Sequence, residues 1–273
     1  MTAKIAVAYS LVELMLLGIG SARADVITAT GTSTYTTISE YTTAAGSTVT
    51  QLTDPITSAF WFSQEVGSLN PYGPPRIGNY IGLSSGAATF DLNVSAVFNS
   101  FLLDVVGLNA TVATFQNDPN LTGYSYLNAA RYFDPGQPVI ETASFGNAWQ
   151  STILSDGSFS YFAWGGRSVT SQINQNNLVD PSAYAATPFS SSDIVDWVNH
   201  GIQLSSDALS VDKCPVTNPD ACERYSIVLL GSTSISASVT SIPEPSTWAM
   251  MLTALAVFGF VMRRTRRRVT LLP

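Results

Sequence analysis

Charge is what this sequence has least of. Only 11% of its 273 residues are charged, against roughly 25% in an ordinary soluble protein. There is one histidine, His200, and there are two cysteines, Cys214 and Cys222. A single histidine removes the Ser-His-Asp and His-rich zinc arrangements unless it carries the whole load. Two cysteines cannot close a zinc site by themselves. No phosphate loop, G-x-S-x-G elbow or dinucleotide fingerprint occurs, and no stretch matches an EF-hand loop or a calcium-binding nonapeptide repeat. Neither a cofactor nor a metal is expected. Basic residues are scarcest in the middle. Between Asp25 and Ser241 only Arg76, Arg131, Arg167, Lys213 and Arg224 stand against seventeen acidic residues. The formal net charge of −7 hides this imbalance, because five of the twelve positive residues lie in the C-terminal tail. An acidic middle excludes nucleic acid as a partner, since that needs a basic footprint.

Long apolar runs are confined to the two ends. Lys4 precedes a largely apolar stretch from Ile5 to Gly20, followed by Ser21-Ala22-Arg23-Ala24-Asp25. The small residues Ala22 and Ala24 form an A-x-A site, so residues 1–24 read as a secretory signal peptide cleaved after Ala24. Glu13 interrupts the hydrophobic region at some cost, and an uncleaved anchor is the alternative. At the other end, Trp248 to Met262 is apolar except for Thr253, and Arg263, Arg264, Arg266, Arg267 and Arg268 follow. That order predicts a single short transmembrane helix with a cytoplasmic basic stop, and residues 269–273 as a cytoplasmic tail. Before the helix stand Pro243, Glu244 and Pro245. Each proline pushes its preceding residue toward extended backbone, and Pro245 suits a first helical position. The expected product is an open peptide at the membrane face.

Pro243-Glu244-Pro245-Ser246-Thr247-Trp248, a short hydrophobic helix and an arginine cluster together resemble the PEP-CTERM sorting signal, over about residues 242–268. The resemblance implies that the chain is a substrate of an exosortase-type membrane processing enzyme. It also implies a transient inner-membrane anchor with the exported part outside the cytoplasm, then a place at the cell surface or in the extracellular matrix. Extracellular polysaccharide is a partner that the resemblance implies. A plain anchor after a proline linker is the competing reading of the same residues.

The exported stretch, residues 25–241, suits one β domain. Val26 to Thr53 is rich in threonine, which favours exposed or edge strands, or else forms an extended arm. Phe90 to Phe98 alternates apolar and polar residues and predicts a half-buried strand. Phe101–Val106 and Ala110–Phe115 read as further strands. Gln150–Leu154 and Phe159–Trp164 flank Ser155-Asp156-Gly157-Ser158, a hairpin turn. Ser226–Leu230 and Ser234–Thr240 complete the set. One short helix is predicted at about 192–200, capped by Ser191 or Ser192 and stopped by Gly201. The fold class is therefore mainly β, an antiparallel β-sandwich-like exported domain.

Candidate chemistry is sparse. Asp193, Asp196 and His200 share a helix stripe at the polar positions, which suits solvated residues obeying the helix dipole as well as an acid–base site. Cys214 and Cys222 bracket a turn-rich loop and predict a disulfide in an oxidising compartment. Asp118 with Asn120, and Asp212 with Asp220, offer oxygen ligands of the kind calcium takes. Trp61, Trp149, Trp164 and several tyrosines present faces on which sugar rings stack, or else belong to the core. No catalytic residue is assigned. The expected function is a non-enzymatic structural or carbohydrate-associated component of the exopolysaccharide or biofilm layer. The alternatives are a carboxylate-dependent hydrolase such as a glycosidase, which needs two acids about 5–10 Å apart in a cleft, and a surface adhesin for another protein.

Overall fold

The computed structural model describes residues 23–89, 92–153, 155–243 and 255–256. Val26–Thr240 forms one compact unit, and residues 1–25 with 241–273 form a second. The threonine-rich start makes two long strands, β1 (Arg23–Thr42) and β2 (Gly46–Glu65). They join through a three-residue turn that ends at Gly46, where φ is 82°. Only glycine takes that backbone without strain. Two short edge pieces, β3 (Asn70–Pro71) and β5 (Ala87–Ala88), flank β4 (Ile77–Leu83) in sequence. The remaining strands are β6 (Thr122–Phe133), β7 (Val139–Ile153), β8 (Phe159–Gln175), β9 (Ile202–Pro215) and β10 (Glu223–Pro243).

All ten belong to one sheet, in the order β3-β4-β6-β7-β8-β9-β10-β1-β2-β5. The pairings from β3 to β10, and from β1 to β5, are antiparallel. This corrects the sandwich expectation. The facing layers are two parts of a single sheet that folds over itself, rather than two separate sheets. Phe60 and Phe62 of β2 meet Phe145 of β7 at centroid distances of 5.9 and 4.8 Å. Arg167 of β8 reaches across to the Ala59 carbonyl of β2 at 2.8 Å.

Inside the fold two apolar clusters are divided by a polar belt. The first holds Phe98, Phe101, Leu102, Phe115, Trp149, Leu209, Val211 and Ile227. The second holds Ile27, Phe60, Phe62, Leu127, Phe145, Ile194, Trp197 and Val198. Along β8 the inward residues run Tyr161 and Ala163 in the first cluster, then Arg167, then Val169 in the second. Arg167 donates to both carboxylate oxygens of Asp207 in β9, and Tyr35 in β1 donates to Asp207 Oδ2 at 2.5 Å. The Ser58 hydroxyl is also bound to Arg167. Burial and the neighbouring carboxylate push the Tyr35 phenol well above its ordinary pKa, so it stays a donor. A buried charge pair survives only when hydrogen bonds satisfy it in this way.

Three expected strands are helices or parts of them. Residues 92–98, and most of the Phe101–Val106 segment, belong to α1 (Leu92–Asp104), and Ala110–Phe115 largely becomes α2 (Val112–Gln116). Alternation over nine residues was ambiguous, because Val94, Phe98, Phe101 and Leu102 also fall at i, i+4, i+7 and i+8. Those four are buried, while Ala96, which strict alternation places in the core, is exposed. Gly107 does not turn a hairpin. It sits at φ 71° just past α1, where the Leu108 amide donates back to the Leu102 carbonyl at 2.8 Å, a glycine-terminated helix end. Phe90, Asp91 and Leu154 lie outside the described residues.

The expected helix at 192–200 is present as α4 (Ser191–His200), preceded by α3 (Pro181–Ala186). Its cap is Ser190, with Asp193 completing a capping box, and Gly201 ends it. Ile194, Trp197 and Val198 are buried, as their spacing predicts. Four helices rather than one therefore accompany the sheet in the regions where these elements are described. Among the described residues no helix is long and apolar enough to cross a membrane. The predicted membrane span is almost wholly outside the described residues, and the signal peptide up to Ala22 is wholly outside them.

Candidate functional site

The face of the sheet opposite the core carries the open site. In β6 the outward residues are Tyr124, Tyr126 and Asn128. In β7 they are Ser144, Gly146 and Ala148, in β8 Trp164, Gly166 and Ser168, and in β9 Ser206 and Ala208. Antiparallel register sets these in rows across the strands. Tyr124 faces Ala148, which faces Gly166, which faces Ala208. One row on, Tyr126, Gly146, Ser168 and Ser206 stand side by side. Small side chains in the first row leave a trough, and larger ones border it. The resulting groove has a volume of about 560 Å³ and runs from Gly82–Ser84, at the end of β4, across to β9. Five strands at ~4.8 Å spacing make it roughly 19 Å across.

Each wall has a structural cause. The Tyr126 hydroxyl bonds to Ser168 two strands away, so its ring lies across β7. Gly146 makes room for that: an added Cβ would strike the Arg167 carbonyl and come within 3.0 Å of the Tyr126 hydroxyl. Tyr124 stands beside it with ring centroids 6.3 Å apart and is 46% exposed. Trp164 borders the other side and is 37% exposed. Ser144 bonds to Thr170 at 3.0 Å, extending a line of hydroxyls along the floor. The groove lining includes no aspartate, glutamate, histidine or lysine. Its one ionised residue, Arg167, turns its guanidinium to Asp207 inside the fold and is 3% exposed there.

The tryptophans named from the sequence separate cleanly. Trp149 points inward, stacks on Phe115 at 6.3 Å and belongs to the core. Trp61 is an exposed residue of β2, outside the groove lining. Trp164 alone of the three lines the groove. Tyr124 and Tyr126 were missed because β6 was not anticipated. The alternation Tyr124, Tyr126, Asn128 against Ser125, Leu127, Ala129 was the available signal.

Elsewhere the acidic residues have local duties. Asp193 caps α4, and exposed His200 pairs with exposed Asp196 at 2.9 Å. Asn199, in the same polar stripe, holds the Ala237 backbone through both its amide groups. Asp118 accepts from Asn120 and Ser151, which lowers its pKa below the usual carboxylate range. Asp212 pairs with Arg224 at 2.7 Å. Among the described residues no group of three or more metal-ligating side chains occurs. Cys214 and Cys222 form the expected disulfide, with a sequence separation of 8. It closes the loop between β9 and β10.

Asp25, near the start of β1, and Ser241, near the end of β10, lie together. Ser241 donates to Asp25 Oδ1 at 2.6 Å, and β10 ends at Pro243, the first residue of the sorting tripeptide. Glu244, Pro245, Trp248 and the arginines from Arg263 to Arg268 lie outside the described residues. No curated protein and no solved structure matches the chain. Residues 241–268 match the family described as the PEP-CTERM protein-sorting motif. By that motif the chain is an exported protein, anchored transiently in the membrane and sorted by an exosortase-type membrane enzyme.

Proposed function

We propose that the protein is a non-enzymatic component of the extracellular polymer layer, held there by association with polysaccharide. The observation that carries this reading is a sorting motif joined to a β domain with an open, uncharged, aromatic-bordered groove. Such a groove binds but offers no acid–base pair, and a glycosidase would need two carboxyl groups about 5–10 Å apart in its cleft. In this reading residues from Ser246 to Met262 form the membrane helix, the arginines stop it, and processing occurs around Pro243-Glu244-Pro245.

Replacing Pro243 and Pro245 together by alanine tests the handling. Helix would then extend outward and hide the peptide in i to i+4 hydrogen bonds. The variant should accumulate unprocessed in the inner membrane with its domain outside. Fractionation and intact mass, in cells with and without the processing enzyme, read the outcome. Parent-like processing of the double variant would reduce the motif to a linker. Mature protein found freely soluble, with none in the matrix fraction, would refute the matrix role.

A further inference from the structure

We infer that the groove on the outer face of β6–β9 is the polysaccharide site, and that its ligand is a neutral glycan chain lying across the strands. This rests on the matrix reading above and deepens it. Three observations converge on the ligand class.

The first is shape. The groove is open, its lining spans five strands, and the small residues Ala148, Gly166 and Ala208 form its floor row. An enclosed pocket suits a small molecule; an open trough suits a polymer that enters and leaves at both ends. The second is chemistry. Tyr124 and Trp164 are exposed aromatic faces two strands and one row apart, so about 12 Å separates their backbones. That spacing serves two different rings of one chain. On the side of the floor row away from Trp164, Ser168 and Ser206 in the next row and Asn128 in the row beyond supply hydroxyl and amide groups, each able to donate and accept, as sugar hydroxyls do. Tyr and Trp combine a large apolar face with a polar tip, which matches the two-sided character of a sugar ring.

The third is charge. An acidic glycan needs cationic side chains, and the groove offers none. Arg167 is paired inside the fold, and Arg131 is likewise buried against Glu141. The exported part carries seventeen acidic residues against five basic ones, so its field repels a polyanion. Neutral chains meet no such penalty. Their binding should be almost indifferent to salt, because screening acts only on charges.

Affinity electrophoresis of the exported protein tests this. The gels contain hydroxyethylcellulose, galactomannan, dextran, the neutral fraction of the producing cells' own matrix polysaccharide, or alginate as the acidic probe. At least one neutral polymer should retard the protein equally at low and high salt, and alginate should not. Trp164→Ala and Tyr124→Ala should each weaken retardation about tenfold, the effect of losing one stacking face and its buried area. Ala208→Leu fills the floor from the outer face without touching the core, and it should abolish retardation while the circular dichroism stays that of the parent. Retardation by alginate alone, fading with salt, overturns the ligand class and leaves the matrix role standing. Retardation by a neutral polymer that survives all three substitutions overturns the site. Indifference to every polymer, in protein still recovered from the matrix fraction, overturns the inference and leaves a protein-mediated attachment.

Discussion

Replacing Asp207 by leucine would strand a guanidinium inside the fold. Arg167 is 3% exposed and Asp207 is fully buried, with Nη2 and Oδ2 2.7 Å apart. Two unit charges ~4 Å apart attract by about 4 kcal/mol at an effective dielectric constant near 20. Breaking a buried pair on one side costs about 3–5 kcal/mol, because the surviving charge keeps its desolvation penalty. Tyr35 loses its acceptor as well, for about 1–3 kcal/mol more. The bonds from Arg167 to Ser58 and to the Ala59 carbonyl remain and hold the loss near the lower end. Arg167→Met alone should cost a similar amount by stranding Asp207. The triple variant Arg167→Met, Asp207→Leu, Tyr35→Phe removes every member, and it should cost no more than about 2 kcal/mol, since apolar replacement of a whole buried network is often neutral. Urea unfolding of the exported protein reads these values. At a slope of about 3 kcal/mol per molar, the single variants should lower the midpoint by ~1–2 M. If the triple variant loses as much as the sum of its parts, the belt is not a coupled unit and the argument fails. A loss under about 1 kcal/mol in Asp207→Leu would refute the burial of the charge.

Two further predictions concern the framework. Burial and Glu141 push the Tyr184 phenol up to about 12, and burial with Glu223 does the same for Tyr225. The folded state thus prefers the neutral phenol, and this contribution is complete below the unfolded value near 10 and lost as pH rises from there to about 12. Stability measured by urea unfolding should fall over that interval, with phenolate absorbance appearing as the chain unfolds; a flat profile would contradict it. Trp197 packs on Phe189 at 4.9 Å and is 3% exposed, so Trp197→Ala should cost about 3–5 kcal/mol. His200→Ala should change the urea midpoint negligibly, and loss of polymer retardation in that variant would reveal a role for the stripe.

What the sequence determined by itself lies at its punctuation and its ends. The sorting tripeptide, the apolar run and the arginines are a linear signal, read in order by a membrane and an enzyme, so adjacency in the chain suffices. The α4 helix was legible because its cap, its stop at Gly201 and its apolar stripe are all local. Asp156-Gly157 likewise announced a hairpin, and its glycine sits at φ 94°. The cysteine pair was legible because only a short turn-rich stretch, at a sequence separation of 8, lies between its two ends.

Tertiary structure decided the rest. Val94 to Val106 fits two periods at once, and the helix won because its stripe of Phe98, Phe101 and Leu102 meets Trp149 and Leu209 in one core cluster. No local rule pairs Tyr35 with Asp207, which lie 172 residues apart. Nor does any local rule join β1 to β10, which places Asp25 beside Ser241, the first residue of the matched sorting motif. The groove is the clearest case. Its residues come from five strands, and each reads alone as an ordinary solvated position. Only antiparallel register brings Ala148, Gly166 and Ala208 into one row, with Tyr124 at its end and Trp164 one row away. A strand's outward face is written in its own alternation, but what that face becomes depends on the neighbours that hydrogen bonding supplies.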